Sequence, residues 1–254
     1  MPTAIAQGAG IDENTGVLEV GPGIGTLTRE LCQRARRVVA VELDRRLPPV
    51  LQETLGEFDN FHLVEGDILK TNIPQLCREE LGEGRKVACA NLPYYITTPI
   101  LMHLLESGAA IDTITVMVQK EVAEKLTAKV GTRESGAITV AVNYYGTADI
   151  LFPVLRDSFL PPPNVDSAVI QIQVKQRYAD ITKNPSHFFA MVKNGFSQRR
   201  KTLVNALSAT MGYEKQMLIS ILEEMELPES VRMEKLTMEQ LISLSNALSE
   251  RAVV

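Results

Sequence analysis

The amino-acid sequence predicts a doubly wound α/β sheet followed by a small all-helical domain. Short apolar runs rich in β-branched residues alternate with helix-like stretches over the first two-thirds of the 254-residue chain. Strand patterns then stop near Lys175, and only helical patterns follow. We therefore expect one domain over residues 1–182 and a second over residues 183–254.

The predicted strands are short and apolar, as buried parallel strands are. Five of them occupy residues 17–20, 38–42, 61–65, 87–90 and 113–118. Two more are expected at residues 137–145 and 167–174, separated by a proline-rich loop. Helical patterns cover residues 26–35, 47–55, 99–106, 120–129, 187–197, 201–209, 214–224 and 238–248.

Composition limits the classes to which the chain can belong. Hydrophobic residues make up 45%, which is ordinary for a globular protein, and the net charge of −5 excludes a chain that is basic throughout. Cys32, Cys77 and Cys89 lack disulfide or metal-ligand spacing, so free thiols and no metal are expected. The sequence has no secretory signal pattern and no apolar run of about 20 residues, so we expect a soluble, cytoplasmic protein.

A glycine-rich turn directly follows the first predicted strand. Gly21, Gly23 and Gly25 give the spacing G-x-G-x-G, whereas dinucleotide-binding turns have G-x-G-x-x-G. Pro22 stiffens the turn, which suits an amino-acid tail better than a diphosphate. The alternative is a tight strand-to-helix turn that binds nothing.

Acidic residues end the second and third predicted strands. Glu42, followed by Leu43, stands where a carboxylate grips ribose hydroxyls, and Asp67, followed by Ile68, can accept a hydrogen bond from an adenine amino group. Either acid alone is also compatible with a solvated charge. Together with the glycine turn they predict a ligand-binding sheet edge.

The fourth predicted strand ends in Asn91, Leu92, Pro93 and Tyr94. The Asn91 side-chain oxygen and the Leu92 carbonyl can accept the two hydrogens of an amine such as adenine N6, and Tyr94 offers a face for stacking the base. Phe159 is predicted to be the second aromatic residue that stacks on the base. The alternatives are a proline turn with a partly buried tyrosine and a core phenylalanine that anchors a loop.

Basic residues concentrate locally in this acidic chain. Lys193, Arg199, Arg200 and Lys201 lie in a stretch without acids and predict contacts with RNA phosphates. A second candidate strip, on the helix after the fifth predicted strand, has the solvated helix face as its alternative. That strip consists of Lys120, Lys125, Lys129 and Arg133.

These motifs, in this order, make the chain resemble the ribosomal RNA adenine dimethyltransferases, and within them the bacterial small-subunit enzymes that modify two adjacent adenines. The resemblance implies a Rossmann-like, class I S-adenosylmethionine-dependent methyltransferase fold. It also implies cofactor contacts at Gly21, Glu42, Asp67 and Asn91, with Asn91 and Tyr94 at the reacting base. The matching segments are residues 19–25, 41–44, 66–69, 91–94, 117–122, 159–167 and 196–203.

The resemblance further implies a partner, 16S rRNA near its 3′ end in the immature small ribosomal subunit, and we expect the chain to act on it as a monomer. One departure is the missing amino-terminal arm, since nothing in residues 1–16 matches the family's Gln-Asn-Phe-Leu string. We expect weaker cofactor affinity than in a relative with the arm. The alternative functions are a 23S rRNA adenine methyltransferase of the macrolide-resistance type and a non-catalytic ribosome assembly factor.

Overall fold

The computed structural model describes residues 1–159 and 162–251 of the chain. These residues form a sheet of seven strands. The strands are β1 (Gly16–Val20), β2 (Arg37–Glu42), β3 (Phe61–Glu65), β4 (Lys86–Asn91), β5 (Thr113–Gln119), β6 (Gly146–Val154) and β7 (Ser167–Val174).

The strand order is β3-β2-β1-β4-β5-β7-β6. Strands β3, β2, β1, β4 and β5 are parallel, and β7 runs antiparallel to β5. The chain moves outward from β1 to β3 and then crosses back to β4, so the order switches between β1 and β4. Open α/β sheets bind ligands beside such a switch, at the carboxyl ends of the strands.

The sheet belongs to a first compact unit, formed by Met1–Ala123 and Thr147–Lys175. All five residues of β1 are buried, which explains why its residues are apolar except for Glu19. One of its apolar clusters includes Ile5, Val17 and Leu31. Helices that begin in this unit are α1 (Pro2–Gly8), α2 (Thr26–Cys32), α3 (Pro48–Leu55), α4 (Ile73–Leu76), α5 (Thr97–Glu106) and α6 (Lys120–Leu126). The predicted fold class is confirmed.

The second unit combines Glu124–Gly146 with the described part of Gln176–Val254, and it is helical. Its core contains Tyr144, Phe188 and Leu207, and several aromatic rings pack edge-to-face or stack there. Its helices are α7 (Ala137–Tyr145), α8 (Pro185–Ser197), α9 (Leu203–Met211), α10 (Lys215–Glu224) and α11 (Met238–Arg251).

The strand predicted at residues 137–145 is wrong, because this segment is α7. Val140 and Tyr144, one helical turn apart, both belong to the helical core. The Thr139 hydroxyl oxygen accepts a hydrogen bond from the Gly136 amide at 3.0 Å, at the start of the helix. A short apolar run does not distinguish a buried strand from a buried helix, and here packing against other helices decides.

Strand β6, which the sequence pattern did not predict, follows α7 directly. It lies at the edge of the sheet, and most of its residues are either partly buried or exposed. It therefore lacks the continuous apolar run that marks the central strands. The two units also differ in extent from the domains expected at 1–182 and 183–254, because Glu124–Gly146 groups with the later helices and the second boundary falls after Lys175.

Candidate active site

The glycine turn leaves open space beside its backbone. Gly21 and Gly23 have φ angles of 66° and 60°, a conformation that side chains other than glycine rarely adopt. A Cβ atom at either position would meet nothing within 4 Å. A Cβ atom at Gly25 would instead meet Leu55 and Thr54 at 3.2 Å, so this glycine serves the close packing of the helix start. The turn can accept a ligand at Gly21 and Gly23.

Glu42, the last residue of β2, forms a hydrogen bond with this glycine turn. Its side chain is 8% exposed. One carboxylate oxygen accepts a hydrogen bond from the Asp44 amide at 2.8 Å, and the other accepts a longer one, 3.4 Å, from the Gly23 amide. These bonds hold the carboxylate in place while it faces two cavities.

The first cavity has a volume of about 250 Å³ and lies along the ends of β2 and β3. Asp67 lines it and is fixed by a 3.0 Å hydrogen bond that its carboxylate accepts from the Leu69 amide. The remaining wall is largely apolar, as expected of a slot for a flat ring. It includes Leu43, Ile68, Pro93, Tyr95, Ile96 and Ile100.

The second cavity, of about 420 Å³, lies over the glycine turn. It shares Gly21, Glu42 and Pro93 with the first cavity, so the two lie side by side along the sheet edge. Helix α1 contributes Pro2 and Ile5 to its wall. Sequence reasoning assigned no role to this first helix, because its residues match no family motif.

Asn91 is exposed at the end of β4 and lines the second cavity. None of the described residues hydrogen-bonds its side-chain amide. Leu92 is buried, and the Pro93 carbonyl accepts hydrogen bonds from the Ile96 amide and the Thr97 hydroxyl, both at 3.1 Å. The strand end therefore holds Asn91 at the cavity with its amide free to bind a ligand.

Tyr94 and Phe159 were predicted to stack on the base, and both make contacts within the chain. Tyr94 is half-buried, and its hydroxyl group lies 2.8 Å from the Ser167 hydroxyl. Phe159 packs against the apolar cluster around Ile5, which matches the alternative of a loop anchor. Residues 160 and 161 of the same motif lie outside the described residues. Neither Tyr94 nor Phe159 is among the described residues that line the two cavities, so their stacking roles stay predictions.

Tyr95 is the aromatic residue that sequence reasoning missed. It is 87% exposed and lines the first cavity beside Pro93. An exposed aromatic ring at a cavity mouth is a common feature of sites that bind planar ligands. The second of two adjacent tyrosines could have drawn attention, but nothing in the sequence indicates which of them faces the cavity.

Glu19 is a second missed residue. It lies within β1, is 1% exposed and lines the second cavity. Burial raises its pKa to about 8, the hydroxyl of Thr28 opposes this rise, and the charge of Glu42 adds to it. A carboxylate within an otherwise apolar strand was the available signal, since such groups cluster at functional sites.

A family model described as ribosomal RNA adenine dimethylase matches residues 3–250. The chain belongs to this family. A protein named ribosomal RNA small subunit methyltransferase A from Ligilactobacillus salivarius (strain UCC118) is 44% identical over 253 residues, which cover 98% of this chain and 86% of that protein. A protein of the same name from Clostridioides difficile (strain 630) is 44% identical over 247 residues, covering 97% and 86%.

Two solved structures are similar to nearly the whole chain. A dimethyladenosine transferase from Plasmodium falciparum matches with a TM-score of 0.81 and 25% identity, covering 99% of this chain and 96% of that one. The 23S rRNA methyltransferase ErmE matches with a TM-score of 0.69 and 27% identity, covering 98% and 96%. The predicted family resemblance is confirmed.

The basic residues predicted to bind RNA lie on the surface of the helical unit of this adenine dimethylase. Lys193, Arg199, Arg200 and Lys201 are all exposed. The Arg199 guanidinium donates a 2.8 Å hydrogen bond to the Arg133 carbonyl, which orients it. Their binding role stays a prediction.

The second basic strip was expected on one helix, but its four residues do not lie on one. Helix α6 ends at Leu126, so Lys129 and Arg133 follow it in the segment before α7. Gly131 in that segment has a φ of 89°, which is incompatible with a continuing helix. The four residues therefore do not share one helix face.

Two further features concern metals and membranes. No helix in the described part of the chain is long and apolar enough to cross a bilayer. The same residues contain no group of three His, Cys, Asp or Glu side chains that could hold a metal ion.

Proposed function

We propose that the chain dimethylates the N6 atoms of two adjacent adenines near the 3′ end of 16S rRNA, with S-adenosylmethionine as methyl donor. The observation that carries the proposal is the position of Asn91. Asn91, whose side-chain amide has no hydrogen-bond partner among the described residues, lines a cavity whose other walls include the glycine turn and Glu42. A nucleophile held at Asn91 would thus stand beside a nucleoside-binding cleft.

The residues present fit S-adenosylmethionine. The open backbone at Gly21 and Gly23 can take an amino-acid tail, Glu42 can accept ribose hydroxyl protons, and Asp67 can accept from the adenine amino group. A buried carboxylate oxygen that has no hydrogen-bond partner in the described part of the chain, Oε2 of Glu19, also suits a ligand that carries positive charge. When bound, the cofactor supplies a methyl group activated by a sulfonium.

The chain's own contribution is to hold the amine. The Asn91 side-chain oxygen and the Leu92 carbonyl accept the two N6 hydrogens, which aims the nitrogen lone pair and steadies the positive charge that grows there. Tyr94 stacks the extruded base, and Phe159 is the second wall. The amine loses its proton after the transfer, so no strong base is needed beforehand.

The helical unit binds the RNA backbone. Lys193, Arg199, Arg200 and Lys201 contact phosphates, which positions the substrate without reading bases. The partner is 16S rRNA within the immature small subunit, and the chain acts on it as a monomer, without metal, in the cytoplasm during late subunit assembly. The names of the two bacterial relatives support the small subunit as the target.

The test uses immature small subunits and free 23S rRNA, each incubated with the protein and S-adenosylmethionine labelled in the methyl group. Mass spectrometry of the RNA should find N6-dimethyladenine at two adjacent positions of 16S rRNA. Label in 23S rRNA instead would favour the macrolide-resistance type of enzyme, which the similarity to ErmE keeps relevant. Cofactor and RNA binding without any label transfer would favour a non-catalytic assembly factor.

A further inference from the structure

Glu19 occupies an unusual place for an acidic side chain. It lies in the central strand β1, opposite Ala40 of β2 and Cys89 of β4. It is 1% exposed, and its Oε2 atom has no hydrogen-bond partner among the described residues. The Thr28 hydroxyl, on α2, is buried as well and lies near enough to Glu19 to lower its pKa. An ionised carboxylate in such surroundings is costly, so the neutral acid is favoured in the free protein.

The titratable side chains near Glu19 are either negatively charged or neutral. The pKa of Glu19 is raised to about 8, mainly by burial and to a smaller extent by the charge of Glu42 on β2. Burial also raises the pKa of Cys32 on α2 to about 12 and raises the pKa of Cys89 on β4, so both thiols stay neutral. The Thr28 hydroxyl lowers the pKa of Glu19 but does not cancel the effect of burial.

The second cavity gives Glu19 access to a ligand. Its wall also contains Gly21, Gly23, Glu42 and Asn91, and none of its lining residues has a cationic side chain. Met1 lies on the same wall. A ligand in this cavity therefore faces two carboxyl groups, and a positively charged ligand would favour the ionised form of both.

We propose that Glu19 exchanges a proton for the positive charge of the cofactor. In the free protein its carboxyl group holds the proton. Entry of the cationic end of S-adenosylmethionine displaces that proton to the solvent and leaves a carboxylate paired with the cation. This inference rests on the proposed function. It requires that cofactor affinity rises with pH until Glu19 is already ionised in the free protein.

Isothermal titration calorimetry in two buffers of different ionisation enthalpy measures the number of protons released. At pH 6.5, where the cofactor's own amine is protonated, we expect the wild-type chain to release about one proton. The dissociation constant should fall by up to about tenfold per pH unit from about pH 6 to about pH 7, below the range in which the cofactor's amine loses its proton. At pH 9.5 Glu19 is already ionised in the free protein, so the release should be lost, and the deprotonated amine of the cofactor should instead take up a proton on binding.

Variants test whether Glu19, and not another titratable group, releases the proton. Glu19→Gln should lose the proton release and flatten the pH dependence of affinity, whereas Glu19→Asp, which keeps a carboxyl group, should retain the release. Glu65→Gln is the matched control, because Glu65 ends β3 with an exposed side chain and lines neither cavity. It should behave as wild type.

The outcomes distinguish this inference from the function on which it rests. Binding of S-adenosylmethionine without proton release at pH 6.5, or release that persists in Glu19→Gln, overturns the proton exchange and leaves the methyltransferase proposal intact. Absence of any binding overturns the proposed function itself. If Glu19→Gln fails to fold, the wild-type release decides: release at pH 6.5 that is lost at pH 9.5 supports the inference, and any other result overturns it.

Discussion

At the carboxyl edge of the sheet, Glu42 is 8% exposed and accepts two backbone hydrogen bonds, whereas Arg200 and Lys201 of the helical unit stand exposed on the surface. The first arrangement fixes atoms within a cleft, as is needed to orient a reacting group. The second offers charge to a phosphate backbone, where exact placement matters less. The comparison indicates that substitutions at the sheet edge should act on chemistry and cofactor affinity, and those on the helical unit on RNA affinity and salt dependence.

The largest expected effect follows Asn91→Ala. Loss of an acceptor that holds the amine should lower the rate of methyl transfer by about 100-fold or more, as loss of one preorganised polar group does at other active sites. Single-turnover label transfer to small subunits measures it. Asn14→Ala is the control, because Asn14 is exposed in the loop before β1 and should leave the rate unchanged.

A smaller effect is expected from Glu42→Ala. Removal of its carboxylate frees the Gly23 and Asp44 amides and deletes the proposed ribose acceptor. Hydrogen bonds to a charged group contribute about 1.5–3 kcal/mol, so the dissociation constant for S-adenosylmethionine should rise by roughly 10- to 150-fold. Calorimetric titration measures this, and an affinity equal to that of Glu65→Ala would remove Glu42 from the cofactor site.

Glu19 makes stability depend on pH in the sheet unit. Its pKa is about 8 in the folded chain, whereas an ordinary glutamate has a pKa of 4.5, so the folded state holds the extra proton between these values. Stability contributed by Glu19 therefore falls as pH rises from about 5 to about 8 and is constant above that range. The melting temperature of wild type should decline relative to that of Glu19→Gln across this window. A constant difference would show that Glu19 is ionised throughout.

The smallest effect is expected on the helical unit. The double variant Arg200→Gln, Lys201→Gln should weaken RNA binding several-fold at moderate salt and reduce the slope of log affinity against log salt by about 0.7–0.9 per lost phosphate contact. Affinity for S-adenosylmethionine should not change. The exposed Lys235, neutralised in the same unit, is the charge control. A salt slope equal to that of the control would remove these two residues from the RNA site.

The sheet and its ligand edge were predictable because strand ends have a strong sequence pattern. Glu42 and Asp67 follow apolar runs at the expected places, and both line the first cavity. The helix at residues 137–145 was not predictable, because its apolar run suits a strand equally well and only packing in the helical core decides. The edge strand β6 escaped prediction because most of its residues are either partly buried or exposed.

The missed site residues share a different cause. Glu19 lies inside a strand instead of at its end, and its importance depends on the cavity above it. Tyr94 and Tyr95 are adjacent in the sequence. Only the structure shows that Tyr95 lines the first cavity, whereas the Tyr94 hydroxyl lies within hydrogen-bond distance of the Ser167 hydroxyl. Sequence patterns locate strand ends well, whereas the direction of a side chain depends on tertiary contacts.

The most direct test of the central claim is a crystal structure of the chain with S-adenosylmethionine bound. The account predicts the amino-acid tail at Gly21 and Gly23, the ribose at Glu42, the adenine beside Asp67, and the methyl group facing the Asn91 amide. A cofactor bound elsewhere, or an Asn91 side chain that points away from the methyl group, would contradict it.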